Sequence, residues 1–340
     1  MRASEDEGRP VIGISLGDPA GIGPEIVLRA LAARPELRVK VYGDPSVLAA
    51  TASRLRLPPL PPERLRAVPS RAPQEIAPGR PNLVTAQAQL EALETATDDA
   101  LAGELAALCT APISKDWIAR AGFAFPGHTE YLAHRARTDD FAMMLAGPHL
   151  RVVLATTHIA LADVARRLTA GDIARAAVLA ARTLVSDFGI GRARIAVAGL
   201  NPHAGEAGRF GDEERRLVAP GIQAARMKLG RERLPADVAG PFPPDAVFRQ
   251  AADGKFDAVV ALYHDQGLIP MKLLDFDEGV NVTLGLPFIR TSPDHGTAYD
   301  IAGSGRANPG SFLSALDLAN RLSRRTQELP RLPGTRIRVQ

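Results

Sequence analysis

Sulfur and aromatic groups are scarce in this chain. Its 340 residues include one cysteine, one tryptophan and only 5 % aromatic residues in total. A single cysteine excludes an intrachain disulfide. That cysteine, Cys109, sits in the apolar run LAALCTA, where a thiol reads as a small buried group rather than a nucleophile. No apolar stretch is long enough to span a bilayer, so no membrane partner is expected. There is no block of like charge and no interleaving of aromatic with basic residues, which argues against nucleic acid as a partner. The formal net charge is only +3. The opening MRASEDEGRP is acidic and lacks the apolar core of a secretory signal, so a cytoplasmic location is expected.

What remains is an ordinary globular balance, with 23 % charged and 46 % hydrophobic residues. The length is enough for a large core and two lobes. Residues 1–9 read as a disordered tail. Apolar runs at Val11–Leu16 and Val39–Tyr42, and near 105–110, 141–146, 151–157, 194–200, 257–263 and 280–284, read as strands. Helical patterns fall at Pro24–Ala33 and near 45–56, 85–103, 114–121, 129–137, 161–187, 212–229, 244–253 and 309–327. Residues 57–82 are rich in proline and arginine without a period, and read as a long surface loop. Short apolar strands alternating with amphipathic helices predict an α/β fold with mostly parallel sheets covered on both faces. Ligands in such folds gather beyond the carboxyl ends of the strands.

Three histidine segments stand at such ends: ATTHIAL around His158, AGLNPHAGE around His203 and VVALYHDQG around His264. Each histidine alone reads as a core or surface group. Together they suggest a metal site, because imidazole suits zinc, cobalt, nickel and iron, and three ligands leave a catalytic position open. Asp265 follows His264 directly and reads as a ligand or as a carboxylate that orients an imidazole. Asp245, in GPFPPDAVF, reads either as a second such carboxylate or as the cap or first turn of the next helix.

Other segments suggest an anionic substrate. GHTEYLA places Gly127 and His128 before a helix, with Thr129 at its N-terminus, as an anion site or a plain cap. Lys272, Asn281 and Arg290 are polar groups set in apolar surroundings, and lysine and arginine recognise phosphate or carboxylate. In DHGTAYDIAG, His295 can meet a flat ring and Asp300 can accept from a ribose or a base; the alternative is a tight turn. GDPAGIGPE looks like a phosphate loop, but Gly17, Gly21 and Gly23 do not fit GxGxxG, and Pro24 is equally explained by helix initiation.

SLGDPAGIGPE, PGHTEYLA, ATTHIAL, GLNPHAGE, YHDQG and GVNVTLGLPFIRTSPDHGTAYDIAG together resemble the 4-hydroxythreonine-4-phosphate dehydrogenase family of pyridoxal phosphate biosynthesis. The resemblance runs from about residue 11 to 320 and is weakest across the Pro/Arg loop. It implies a two-lobed, isocitrate/isopropylmalate-dehydrogenase-like fold with a cleft between the lobes. The lobes expected are 10–130 plus 290–340 on the cofactor side, and 131–289 carrying the metal site and the dimer interface. The resemblance also implies a homodimer, with a divalent metal (zinc, magnesium or cobalt) held by His158, His203 and His264, one of them from the partner subunit. It implies substrate contacts at His128, Thr129, Lys272, Asn281 and Arg290. A loop for NAD or NADP is implied at His295, Gly296, Thr297 and Asp300. Asp245 and Asp265 are the candidate catalytic carboxylates beside the metal, with the general base open between them, His128 and water.

The implied reaction oxidises a secondary alcohol to a 2-amino-3-oxo acid, which loses carbon dioxide to give 3-amino-2-oxopropyl phosphate. Three rivals stand beside it. One is a paralogue acting on 4-phospho-erythronate or 4-phospho-threonate. Another is a phosphate acyltransferase of similar fold, which needs no metal triad. The last is a non-catalytic binding protein.

Overall fold

The structure, a computed structural model, describes residues 10–328. The expected tail at 1–9, and residues 329–340 of the expected first lobe, lie outside the described residues. In chain order the elements begin with β1 (Ile12–Ser15), α1 (Gly23–Ala33), β2 (Val39–Gly43), α2 (Pro45–Leu55), β3 (Leu65–Ala67), α3 (Leu83–Leu101) and β4 (Ala107–Thr110). Then come α4 (Lys115–Arg120), α5 (His128–Arg135), β5 (Ala142–Ala146), β6 (Arg151–Leu154), α6 (Leu161–Arg167), α7 (Ala170–Ser186) and β7 (Ala193–Ala198). The chain continues through α8 (Ala219–Glu232), β8 (Ala236–Phe242), α9 (Pro244–Ala252), β9 (Ala258–Ala261), α10 (His264–Asp275), β10 (Val280–Leu284), β11 (Ile289–Pro293) and α11 (Gly310–Glu328).

The chain divides into two compact units. The first runs to Arg137 and resumes over Leu286–Arg324. It reaches past the expected limit at 130 because α5 continues unbroken to Arg135. Its strands lie in the order β3, β2, β1, β4, β11, and every neighbour pair is parallel. β1 is buried along its whole length, as its apolar sequence IGIS demands. The chain steps from β1 to β2 on one side and returns to β4 on the other. The carboxyl ends of β1 and β4 are therefore a switch point, where an open α/β sheet leaves a crevice.

The second unit is Thr138–Gly285 with the described residues from Arg325 onward. Its strand order is β10, β5, β6, β9, β7, β8. The pairs β10/β5 and β5/β6 are antiparallel; β6/β9, β9/β7 and β7/β8 are parallel. Val152, Leu154, Val259, Phe248 and Met271 are among the buried side chains that join the sheet to α9 and α10. The α/β class and the mostly parallel pairing are as expected from the sequence.

Several elements differ from the sequence reading, each for a local reason. The expected helix 161–187 is two helices, because Leu168 and Thr169 are extended and Thr169 and Asp172 form a capping box that starts α7. The expected helix at 212–229 opens with a π turn, Glu214–Val218, and runs on to Glu232. The Pro/Arg loop contains β3, which pairs with β2 over three residues, too few to show a period. β8 escapes notice because Gly240 and Pro241 interrupt it. α10 is disguised by Gly267 and Pro270. β11 reads IRTSP and is buried throughout although three of its five residues are polar or charged.

Candidate functional site

The three histidines leave the carboxyl ends of β6, β9 and β7, which lie side by side and parallel. The loops beyond these ends are joined by hydrogen bonds. The Ala155 amide donates to the Ala261 carbonyl at 2.8 Å, and the Thr156 hydroxyl donates to the Leu262 carbonyl at 2.6 Å. Buried Gln266 links the other pair. Its Oε1 accepts from the Leu262 amide and its Nε2 donates to the Gly199 carbonyl, both at 2.7 Å.

His264, expected just beyond a strand, lies past the end of β9 and is the first residue of α10. Its Nδ1 lies 2.7 Å from Asp265 Oδ1. An ionised carboxylate only accepts, so Nδ1 carries the proton and Nε2 is left with the lone pair a metal needs. The rings of His158 and His264 are 5.6 Å apart between centroids. At that spacing their nitrogens can reach one ion through bonds of about 2 Å. His203 lies instead beside Phe210, and among the described residues no group of three His, Cys, Asp or Glu side chains is gathered closely enough to hold a metal. One chain thus brings together two of the three rings. Asp245 is exposed in the first turn of α9, where the N-cap is Pro243.

His203 stands in an unusual backbone. His203, Ala204, Gly205, Glu206 and Ala207 are all left-handed, with φ between 41° and 79°. Only Gly205 takes such angles without cost, whereas each L-residue there loses about 1–2 kcal/mol. The segment is therefore held by its surroundings, and strain of this kind clusters at functional sites.

In the first unit, Arg290 on β11 is 2 % exposed and donates from Nη2 to Thr110 Oγ1 at 2.8 Å. Burial brings its guanidinium down to about 10, so it is still charged at neutral pH. Burial pushes the nearby Cys109 thiol up to about 12, which leaves it a neutral core group. His128 is the first residue of α5 rather than a residue before it, with Gly127 as N-cap and Thr129 in the first turn. Its Nε2 is enclosed and has no hydrogen-bond partner. Burial holds this imidazole well below its ordinary range, and the positive charges of Arg290 and Lys115 push the same way. The structure thus groups His128 with Arg290 and adds Lys115.

Two further candidates belong to the second unit. Asn281 lies within β10; its Nδ2 donates to Met143 Sδ at 3.2 Å, and its Oδ1 is buried without a partner. The sequence predicts apolar surroundings for Lys272. The residue is instead exposed in the last turn of α10, with its ammonium 5.7 Å from the ring centre of Phe276, one helical turn on.

The loop after β11 packs on the loop after β1. The Ile22 amide donates to the Thr297 carbonyl at 2.9 Å. Gly21 has to be glycine here, because a Cβ would lie 2.9 Å from that carbonyl oxygen. Tyr299 donates to Asp18 Oδ2 at 2.6 Å, and Gln89 Nε2 donates to the same oxygen at 3.0 Å. The Ala20 amide donates to Asp18 Oδ1, and the Ser114 amide to Gln89 Oε1, both at 2.8 Å. Burial raises the Asp18 carboxyl above its ordinary range despite these donors. GDPAGIG is thus a packed support at the β1/β4 switch point. His295 Nε2 is enclosed without a partner, Asp300 is exposed, and the space beside Gly296 is open.

Sequence reasoning passed over Lys115, Thr110, Asp18, Gln89, Tyr299, Gln266 and Glu214. Asp18, Tyr299 and Gln266 lie inside segments already singled out, so the signal was present without a role. Gln89 and Lys115 lie in unremarkable helical sequence, and only the fold reveals them.

Residues 24–319 match a family model described as pyridoxal phosphate biosynthetic protein PdxA. The chain is 50 % identical over 327 residues to the 4-hydroxythreonine-4-phosphate dehydrogenase of Desulfosudis oleivorans, covering 92 % of this chain and 95 % of that protein. The crystal structure of the enzyme of that name from Klebsiella pneumoniae superposes with a TM-score of 0.83 at 42 % identity, covering 92 % of this chain and 99 % of that one. A terephthalate 1,2-cis-dihydrodiol dehydrogenase from Burkholderia xenovorans is more distant, with a TM-score of 0.68 and 30 % identity over 92 % of this chain and 98 % of that one.

Proposed function

Because the chain belongs to the PdxA family of pyridoxal phosphate biosynthetic proteins, we propose that it is a metal-dependent dehydrogenase acting on 4-hydroxythreonine 4-phosphate. With NAD or NADP it oxidises the substrate's secondary alcohol: a hydride passes to the nicotinamide and a proton leaves the hydroxyl. The resulting 2-amino-3-oxo-4-phosphooxybutanoate loses carbon dioxide to give 3-amino-2-oxopropyl phosphate. The observation that carries this reading is the set of three histidine loops at the ends of adjacent parallel strands, in a chain so similar to named dehydrogenases.

The side chains suit these tasks. His158 and His264, with His203, would hold a divalent ion, zinc, magnesium or cobalt; a second copy of the chain would complete the set in a homodimer. When bound, the ion supplies Lewis acidity that lowers the hydroxyl pKa and stabilises the electron-rich product of decarboxylation. Asp265 fixes the proton on His264 Nδ1 and so orients the ring. Arg290, held by Thr110, offers the phosphate a desolvated cation, and the first turn of α5 with His128 and Thr129 adds backbone and hydroxyl donors. Lys272 is a second cation for the substrate's anionic ends. The orphaned Asn281 Oδ1 accepts from a substrate ammonium or hydroxyl. Asp245 is a further carboxylate on the same unit as the histidines. The first unit carries the cofactor loop, where the open space at Gly296, His295 Nε2, Thr297 and Asp300 suit a nicotinamide dinucleotide.

Family membership sets the acyltransferase and binding-protein readings aside. The test is an assay of purified, metal-supplemented protein with NAD or NADP on 4-hydroxythreonine 4-phosphate, 4-phospho-erythronate and 4-phospho-threonate. Release of carbon dioxide and an amino ketone phosphate from the first is expected. Turnover of the sugar acids alone would refute the proposal.

A further inference from the structure

Glu214 is a buried carboxylate that opens the π turn leading into α8. Its Oε1 accepts from the amides of Leu200 and Asn201, at 2.8 and 2.7 Å, and its Oε2 accepts from Asn201 Nδ2 at 3.0 Å. The carboxylate also lies against Gly205, where a Cβ would come within 2.7 Å of Oε2. One side chain therefore grips the entry to the left-handed turn at Leu200–Asn201 and its middle at Gly205. His203 stands between these two points. A π turn adds one residue to a helical turn and re-aims the side chains around it, and such insertions are frequent at functional sites. Here the side chain at the start of the π turn faces the strained loop.

We infer that Glu214 is a positioning residue for His203, holding the left-handed turn so that the imidazole is presented in one place. Outer groups that orient a ligand commonly set metal affinity without touching the ion. The inference rests on the reading of His203 as a ligand of the divalent ion.

The test is titration of Co2+ into the metal-stripped full-length protein, following the Kd by calorimetry and the visible absorption band. Amide hydrogen exchange over residues 199–208 and the Tm are measured in parallel. Glu214→Gln replaces one acceptor oxygen by a donor facing Asn201. It is expected to weaken Co2+ binding about 10–100-fold, as loss of an orienting partner does. It should also displace the absorption band and speed exchange at Leu200 and Asn201 while leaving the Tm within a few degrees. Glu214→Asp keeps the charge on a shorter stem, and a smaller loss in the same direction is expected; it carries the test if the glutamine variant does not fold. A variant with lowered Tm but native Co2+ affinity in its folded fraction would overturn the inference, as would unchanged exchange at Leu200 and Asn201. His203→Ala separates the two readings. Native Co2+ affinity in that variant would remove the ligand assignment and the inference with it. Impaired binding in His203→Ala with native binding in Glu214→Gln would overturn the inference alone.

Discussion

Arg290 and His203 are presented by opposite kinds of backbone. Arg290 lies inside β11, paired in register with β4, and Asn281 lies inside β10, paired with β5. Such residues are aimed by the sheet itself and need little further support. His203 rides on five left-handed residues beyond β7, and His158 on a loop beyond β6. Those loops are fixed by side chains that bridge them: Thr156 between the ends of β6 and β9, Gln266 between those of β9 and β7, and Glu214 across the turn. The lesson is that a strand-borne contact is robust to changes around it, whereas a loop-borne ligand depends on the groups behind it.

The largest expected effect lies on the strand-borne side. Arg290→Ala should raise the Michaelis constant for a phosphorylated substrate by at least about 30-fold, since truncating a buried, hydrogen-bonded charge costs about 2–5 kcal/mol. Arg290→Lys should recover little, because a lysine lacks the planar fork. Steady-state kinetics on both variants check this, and an unchanged constant would rule out Arg290 as the anion contact.

On the loop-borne side, Asp265→Asn leaves every proposed metal ligand in place. It should nevertheless lower metal affinity by about 10–100-fold, because His264 loses the carboxylate that fixes its tautomer. Metal content after dialysis against a weak chelator measures it. Full retention of metal would show that the loop histidines orient themselves, and the contrast with Arg290 would collapse.

The smallest effect concerns His128. In the unfolded chain its imidazole takes up a proton near pH 6.5, whereas the folded protein holds it neutral to a lower pH. The unfolded state therefore binds more protons in that window, and stability is lost as the pH falls below about 6.5. His128→Gln should flatten this part of the stability curve. Thermal unfolding from about pH 7.5 to about pH 5 tests the sign, and an equally steep acid loss in the variant would contradict it.

The legible parts of the fold share one property. β1, β6, β7 and β9 are apolar runs, and burial on both faces writes itself directly into composition. β11 was not legible because it buries Arg290, Thr291 and Ser292, and the partners of the first two, Thr110 on β4 and Ala315 on α11, lie far away in sequence. α10 was hidden because Gly267 and Pro270 argue locally against the helix that tertiary packing enforces. The left-handed turn could not be foreseen, since four of its five residues have no intrinsic preference for it.

By itself the sequence determined the α/β class, the chain-order alternation of strands and helices, and which long motifs carry the histidines, Arg290 and the DHGTAYDIAG loop. Those follow from periodicity and residue chemistry, which are local. Only the tertiary structure decided that β9 lies between β6 and β7, so that His264 meets His158 while His203 stands apart beside Phe210. It alone decided that His128 shares its surroundings with Arg290 and Lys115. The reason is physical: strand order in a sheet is set by crossover connections and core packing, and separation along the chain carries no record of either.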